Sequence, residues 1–216
     1  MARGKKSIFN DRLSTGHYSS VLFYFTLEER NEMDFSKLEK NICDVIYEAQ
    51  LKIGYGSHSM SMNYPLDSLD RMLGVNAGAE EMKKLLSDFA DYAEERLGRI
   101  GFSMQHANSE HNADLVRIDI PAQGVEYIHE HADKCGFLPE LVELMKKNTT
   151  KFDDITALFG KYSDKVHVEK SSGDEFDYLV YFEDGKPDEY YYCFADEGVR
   201  MTYHRFTRED YEAFGF

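Results

Sequence analysis

The chain has 216 residues, and its 40 Asp and Glu residues against 25 Lys and Arg residues give a formal net charge of −15. It contains no Trp but 15 Phe and 15 Tyr, and 42% of its residues are hydrophobic. Such a chain buries enough apolar surface to offset the entropy lost on folding, which excludes a wholly disordered protein. The acidic balance also excludes nucleic-acid binding driven by charge, since counterion release requires clusters of Lys and Arg.

The cysteines and the apolar runs indicate the cellular compartment in which the protein is located. Cys43, Cys135 and Cys193 lie far apart and form no Cys-x-x-Cys pair, which is typical of reduced, buried thiols in a cytosolic protein. Residues 1–6 are basic but lack the apolar segment of a signal peptide, and the longest apolar run, residues 21–25, is too short to cross a bilayer. These features predict a cytoplasmic protein that does not associate with membranes.

The first residues differ in character from the rest. Residues 1–13 contain four basic residues and one acidic residue. This composition predicts a flexible basic N-terminal arm over residues 1–20, which frays in solution or, alternatively, lies on an acidic surface. No linker or internal repeat divides the remainder, so we expect one α+β domain over residues 21–216.

Helical periodicity dominates the part of this domain from about residue 34 to 162. The clearest case is residues 34–53, in which apolar residues form a single stripe, Asp34 can cap the start and Gly54 can end the helix. In chain order, the predicted elements are helix 34–53, strand 59–64, helix 65–73, helix 79–97, strands 100–106 and 115–120, and helices 121–134, 139–147 and 153–162.

The part from about residue 165 to 206 is rich in strands. Four short apolar or aromatic runs are separated by turn residues and predict strands at 166–170, 175–183, 189–195 and 198–206. A short helix capped by Thr207 follows. Strands that follow helices without βαβ alternation predict an α+β fold, with a helical N-terminal two-thirds packed with antiparallel strands and a C-terminal four-stranded antiparallel meander.

The most unusual composition lies in this meander. Residues 174–197 contain nine acidic residues, one Lys and eight aromatic residues. In one interpretation, helices cover one face of the sheet and tyrosines on the other face pack in cross-strand pairs. In the other, an acidic aromatic face binds a basic or amphipathic protein partner. The candidate partner-binding residues are Tyr178, Tyr190, Tyr192, Asp177, Glu183, Asp188 and Glu189.

Four of the eight histidines lie within 26 residues, namely His106, His111, His129 and His131. A metal site needs three or four converging ligands, but His129 and His131 are two residues apart, which on a helix directs them about 200° from each other. No helical zinc motif is present, so surface or capping histidines are favoured over a metal site. The chain also lacks the nucleophile elbow, the phosphate-binding loop and the dinucleotide-binding motif, so we predict no catalytic residue and no cofactor.

One segment resembles a known family. Residues 38–55, LEKNICDVIYEAQLKIGY, followed by residues 62–69, MNYPLDSL, are similar to the opening of an uncharacterised bacterial family, a domain of unknown function. The resemblance covers about residues 35–75. It implies a bacterial cytosolic protein and supplies no activity, cofactor or catalytic residue.

Three functional hypotheses follow from the sequence. The leading one is a non-enzymatic cytosolic protein, for example an inhibitor or immunity protein, that uses the acidic aromatic sheet face to bind a protein partner. The first alternative is a metal-dependent hydrolase that uses the four clustered histidines. The second alternative is a homodimer with the meander as its interface.

Overall fold

The structure, a computed structural model, describes residues 33–105, 114–134, 136–171 and 175–215. The predicted N-terminal arm and residues 106–113, with His106 and His111, lie outside the described residues.

The described residues form seven helices and seven strands, and each predicted element is present. In chain order they are α1 (Ser36–Ile53), β1 (Met60–Pro65), α2 (Leu66–Leu73), α3 (Ala79–Leu97), β2 (Gly101–Gln105), β3 (Leu115–Ile120), α4 (Ala122–His131), α5 (Phe137–Met145), α6 (Phe152–Tyr162), β4 (Val166–Lys170), β5 (Tyr178–Phe182), β6 (Tyr191–Asp196), β7 (Met201–Phe206) and α7 (Arg208–Phe214). The α5 helix begins before Pro139, the predicted start, because proline is tolerated in a first turn, where its missing N–H has no helical acceptor.

The long helix α1 is the element on which the rest is assembled. It buries Leu38, Ile42 and Ile46 completely and contacts α2, α4 and α5. The Asp34 carboxylate accepts the N–H of Ser36 at 2.9 Å where the helix begins. The sides of α1 away from this stripe carry charged residues, and these line the clefts described below.

Two antiparallel sheets complete the molecule. The first has the strand order β1-β3-β2, and the central strand β3 buries Val116, Ile118 and Ile120. The second is the predicted meander, with the order β4-β5-β6-β7. Helices followed by these antiparallel strands confirm the α+β fold.

The inner face of the meander packs against α5 and α6. The Phe159 ring lies edge-on to Tyr192, with 5.4 Å between ring centroids, and Phe137 lies edge-on to Phe182 at 5.0 Å. Such edge-to-face pairs add to the burial of the rings themselves. This aromatic core, which also includes Phe194, holds the helices on the sheet.

The outer face of the meander is partly covered by α7. Tyr181 and Tyr191 stack on this face with 4.1 Å between ring centroids, and Tyr211 of α7 packs beside them. The predicted cap of α7 is present, since the Thr207 hydroxyl accepts the N–H of Asp210 at 3.1 Å.

One glycine is required by a close approach between helices. A Cβ atom on Gly124 of α4 would lie 2.3 Å from the backbone oxygen of Leu97 at the end of α3. Glycine is therefore the residue that lets these two helices meet. Within the described part of the chain, none of the helices is both long enough and apolar enough to span a membrane.

Candidate functional site

The tyrosines of the predicted partner-binding face point toward the helices. Tyr192 is fully buried, Tyr190 is 4% exposed, and Tyr178 is half-buried and stacks on Phe152 of α6 with 3.6 Å between centroids. The helices cover this face because the apolar stripes of α5 and α6 need an aromatic surface to bury against. The tyrosines and acids predicted to form one exposed surface are therefore not brought together as such.

The acidic residues of that set take separate positions. The Asp177 carboxylate accepts the N–H of Asp196 at 2.7 Å, and its backbone, directly before β5, bonds to both Ser171 and Phe194. Glu183, Asp188 and Glu189 lie in the β5–β6 loop, residues 183–190, which reaches back to α1.

The two described histidines of the predicted metal cluster do not converge. His129 stacks on Tyr55 with 4.0 Å between centroids, whereas His131 stacks on Tyr127 at 4.1 Å, and its Nδ1 lies 2.8 Å from the Tyr127 backbone oxygen. Within the described ranges, no three His, Cys, Asp or Glu side chains lie close enough to hold a metal ion. Because His106 and His111 lie outside those ranges, the four-histidine site stays a prediction.

A cleft of about 740 Å³ lies between α1, the α4–α5 connection and the β5–β6 loop. One wall is a single face of α1, formed by Lys40, Cys43, Asp44 and Tyr47, whose spacings of three, one and three residues place them side by side on a helix. The other walls combine aromatic side chains, among them Tyr127, Phe137 and Tyr162, with aliphatic and charged residues. A cavity of this size, with aromatic walls and a few charged groups, is typical of a binding site.

An arginine cluster, which we define as Arg205, Glu48, Asp188 and Tyr203, adjoins the cleft, and two of its members, Arg205 and Asp188, line it. The Arg205 side chain is 4% exposed. Its guanidinium nitrogens lie 2.9 Å from Glu48 Oε2 and 3.7 Å from Asp188 Oδ2, and it donates to the backbone oxygen of Asp44 at 3.1 Å. A buried cation needs such pairing, because its desolvation is costly.

The pKa values of the two carboxylates of the arginine cluster, Glu48 and Asp188, are shifted in opposite directions. Burial favours the protonated form of Glu48, but the Arg205 charge and hydrogen bonds from Lys52 and Tyr203 outweigh it and lower the pKa of Glu48. The Tyr203 hydroxyl donates to Glu48 at 2.6 Å. Burial raises the pKa of Asp188 despite the Arg205 charge. Glu48 is therefore the principal counter-charge of Arg205.

A lysine site, which we define as Lys40, Asp44, Glu189 and Tyr190, lies at the edge of the cleft. Lys40, Asp44 and Glu189 line this cleft, whereas Tyr190 lines the smaller cleft described below, and Glu189 borders both. The Lys40 ammonium lies 2.6 Å from Asp44 Oδ2 and 3.0 Å from Glu189 Oε1, and 5.3 Å from the centre of the Tyr190 ring. The Tyr190 hydroxyl donates to Asp44 at 2.9 Å. The Lys40 side chain is 54% exposed, so this ion pair borders open solvent.

A second cleft, of about 390 Å³, lies on the other side of the β5–β6 loop. It is bordered by α1 and α7, and its lining includes Lys37, which forms an ion pair with Glu209, and the outer-face residues Tyr181 and Tyr191. Lys37 precedes Lys40 by one turn of α1 and has a similar setting at the edge of a different cleft. It provides a matched comparison for the lysine site.

The cysteine in the larger cleft is not an activated nucleophile. Burial, with the nearby charges of Glu39 and Asp44, raises the pKa of Cys43 to about 12. Since the thiolate is the reactive form, this thiol is unreactive at neutral pH.

Arg205, Glu48 and Lys40 are not among the site residues predicted from the sequence. Arg205 lies on β7 and its partners on α1 are about 160 positions away in the chain, so no local pattern joins them. One local pattern does point to Arg205. Met201, Tyr203 and Arg205 alternate along β7 and share one face, which places a charged residue on an otherwise apolar face.

Comparison with known proteins identifies a family and no activity. A family model described as "Domain of unknown function, E. rectale Gene description (DUF3877)" matches residues 35–215, and the chain belongs to this family. The predicted resemblance to an uncharacterised family is thereby confirmed, and it extends from about residues 35–75 to nearly the whole described chain. No curated protein and no solved structure matches the chain.

Proposed function

We propose that this member of the DUF3877 family is a non-enzymatic cytosolic protein that binds a positively charged side chain of a basic protein partner in the larger cleft. The observation that carries the proposal is the lysine site, in which an ammonium group already lies between two carboxylates at the edge of a tyrosine-lined cavity. The proposal keeps the basic partner expected from the sequence but moves its binding site from the sheet face to the cleft.

The charges and rings of the cleft support a cationic ligand. Four carboxylates line it, those of Asp44, Asp133, Asp188 and Glu189, against the two cations Lys40 and Arg205, in a chain whose net charge is −15. An acidic cleft attracts a basic partner at long range and increases its association rate.

Aromatic faces near these carboxylates supply a second attraction. The protein already places three of its own cations over tyrosine rings here, with Arg205 over Tyr190 at 4.2 Å, Lys40 over the same ring at 5.3 Å and Lys52 over Tyr203 at 4.2 Å. Cation–π contacts of this kind contribute about 0.5–2 kcal/mol, depending on desolvation. The tyrosine rings that line the cleft, Tyr47, Tyr127 and Tyr162, offer the same chemistry to an incoming Lys or Arg side chain.

The cytosolic location is supported by the thiols. Cys43 and Cys193 are both free, as expected in a reducing compartment. The protonated Cys43 thiol also offers no nucleophile to a bound ligand, which favours binding over covalent catalysis.

Calorimetric titration with a tetralysine peptide, acetylated and amidated at its ends, tests the proposal. We expect saturable binding that weakens with salt, and no binding of the tetraglutamate peptide of the same length. Glu189→Gln removes one carboxylate of the lysine site, so it should weaken tetralysine binding about 3–10-fold, as expected for a partly exposed charge contact. The fold should tolerate this change, since the Glu189 side chain is 61% exposed.

Glu209→Gln is the matched control. It removes a carboxylate that pairs with Lys37 at the edge of the smaller cleft, and it changes the net charge equally. Its affinity for tetralysine should stay within about twofold of the wild type, a change of less than about 0.5 kcal/mol. Equal weakening by both substitutions would indicate a non-specific charge effect, and absence of tetralysine binding would contradict the proposal.

A further inference from the structure

The position of the Lys40 side chain bears on which ligand the cleft accepts and on how tightly it binds. The ammonium contacts one oxygen of Asp44 on α1 and one oxygen of Glu189 on the β5–β6 loop, and it lies over the Tyr190 ring. Two separate elements of the fold therefore converge on a single nitrogen atom.

We propose that Lys40 is a tethered occupant of the cation position of the cleft, and that the ligand presents a primary amine whose ammonium group takes the place of Lys40. This inference rests on the proposed function and adds to it the chemical class of the ligand and a built-in competitor.

The arrangement of acceptors favours an ammonium over a guanidinium. A guanidinium is planar and pairs best with both oxygens of one carboxylate, whereas an ammonium is a compact charge with three donors that can point in different directions. In the lysine site the oxygens come from two different side chains and meet at one atom, at 2.6 and 3.0 Å. Where the chain does pair an arginine with another carboxylate of α1, Arg96 contacts both oxygens of the single carboxylate of Glu39.

The exposure of Lys40 makes it displaceable. More than half of its side chain is exposed, and exposed ion pairs contribute little to stability. By contrast, a ligand that carries its own ammonium also gains contact with aromatic side chains that line the cleft, including Tyr127 and Tyr162.

Occupation by Lys40 lowers the apparent affinity for an external amine. A ligand binds only when the position is vacant, so its apparent dissociation constant is the intrinsic value divided by the vacant fraction. Removing the Lys40 ammonium should therefore strengthen amine binding without creating a new contact.

Cadaverine, which has a five-carbon chain between two primary amines, is the probe. Its affinity should be measured by calorimetry for the wild type, Lys40→Met and Lys37→Met. Methionine keeps much of the apolar stem of lysine, and both substitutions remove one positive charge from α1. We expect Lys40→Met to bind cadaverine about 3–10-fold more tightly than the wild type, and Lys37→Met to stay within about twofold.

The outcomes separate this inference from the function on which it rests. If both substitutions increase the affinity for cadaverine equally, or if Lys40→Met does not increase it, the inference that Lys40 competes with the ligand is overturned. If tetralysine binds but none of the three proteins binds cadaverine, the primary-amine ligand is overturned and the basic partner remains. If neither probe binds any of them, the proposed function itself fails. Thermal unfolding of each variant verifies that it is folded.

Discussion

The arginine cluster and the lysine site place two cations near the same tyrosine ring but in opposite environments. The Arg205 guanidinium carbon lies 4.2 Å from the centre of the Tyr190 ring and its side chain is almost wholly buried, whereas the Lys40 ammonium lies 5.3 Å from that centre at the solvent boundary. Both cations are paired with carboxylates. Burial thus distinguishes an ion pair that holds the fold together from one that is available for exchange.

This difference has a simple energetic basis. A buried charge whose partner is removed keeps its full desolvation cost, of about 3–5 kcal/mol, whereas an exposed pair contributes about 0–1 kcal/mol because water replaces the lost contact. Arg205 joins α1, β7 and the β5–β6 loop through Glu48 and Asp188. We therefore expect the arginine cluster to stabilise the fold, and this difference supports our proposal that the lysine site serves binding.

The largest effect is expected from Arg205→Met. This substitution leaves the buried Glu48 and Asp188 carboxylates without their shared cation, and it should lower the free energy of unfolding by about 3 kcal/mol or more in urea denaturation. Arg200→Met is the control on the same hairpin, because the Arg200 side chain is 60% exposed and its pair with Glu197 is at the surface. The control should change the free energy by less than about 0.5 kcal/mol. If both variants lose a similar free energy of unfolding, buried and exposed ion pairs do not differ in what they contribute to stability.

An intermediate effect is expected from Glu48→Gln. Because the pKa of Glu48 is lowered in the folded protein, its ionised form stabilises the fold above the ordinary value of 4.5, and this contribution is lost as the pH falls through the lowered pKa. The variant should be about 2 kcal/mol less stable than the wild type at pH 7. That deficit should stay nearly constant from pH 7 to about pH 5 and shrink as the pH falls below the ordinary value of 4.5 toward the lowered pKa, as followed by urea denaturation at several pH values.

Asp188→Asn is the matched comparison and should have the opposite pH dependence. Since burial raises the pKa of Asp188, its ionised form opposes folding at neutral pH, and the wild type recovers stability as the pH falls through the raised pKa. The variant should be at least as stable as the wild type at pH 7, and this advantage should disappear in acid. If both variants lose stability in parallel, the two carboxylates do not have the separate roles assigned to them.

The smallest effect on stability is expected from Lys40→Met. The exposed ion pairs of Lys40 should contribute less than about 0.5 kcal/mol to the free energy of unfolding, the same as for Lys37→Met. A loss above about 2 kcal/mol in Lys40→Met alone would place Lys40 with Arg205 among the residues that hold the fold together.

The sequence predicts where the helices and strands lie better than it predicts which of their faces are buried. The stripe of α1 and the turns of the meander are local patterns, and the structure confirms both. In β6, however, aromatic residues occupy both faces, with Tyr192 and Phe194 on one and Tyr191 on the other. Such a strand does not indicate which face the helices cover, because α5 and α6 bury equally well against either aromatic surface.

The site was less predictable because its parts are distant in sequence. Asp188 and Glu189 were identified as candidates through the local excess of acids, but their partners Arg205 and Lys40 lie on β7 and α1. Long-range pairing of this kind depends on the packing of α1 against the meander. The spacing of Lys40 and Asp44, and of Glu48 and Lys52, indicates only helical ion pairs, and these are common on exposed helices.

Binding of a primary amine in the larger cleft can be followed by nuclear magnetic resonance of the protein with isotope-labelled tyrosine rings, titrated with cadaverine. We expect the ring signals of Tyr47, Tyr127 and Tyr162 to shift in a saturable way, because these rings line the larger cleft. The signals of Tyr181 and Tyr191, which line the smaller cleft, should stay unchanged. Shifts confined to Tyr181 and Tyr191, or no saturable shift at any ring, would contradict the assignment of the larger cleft as the amine-binding site.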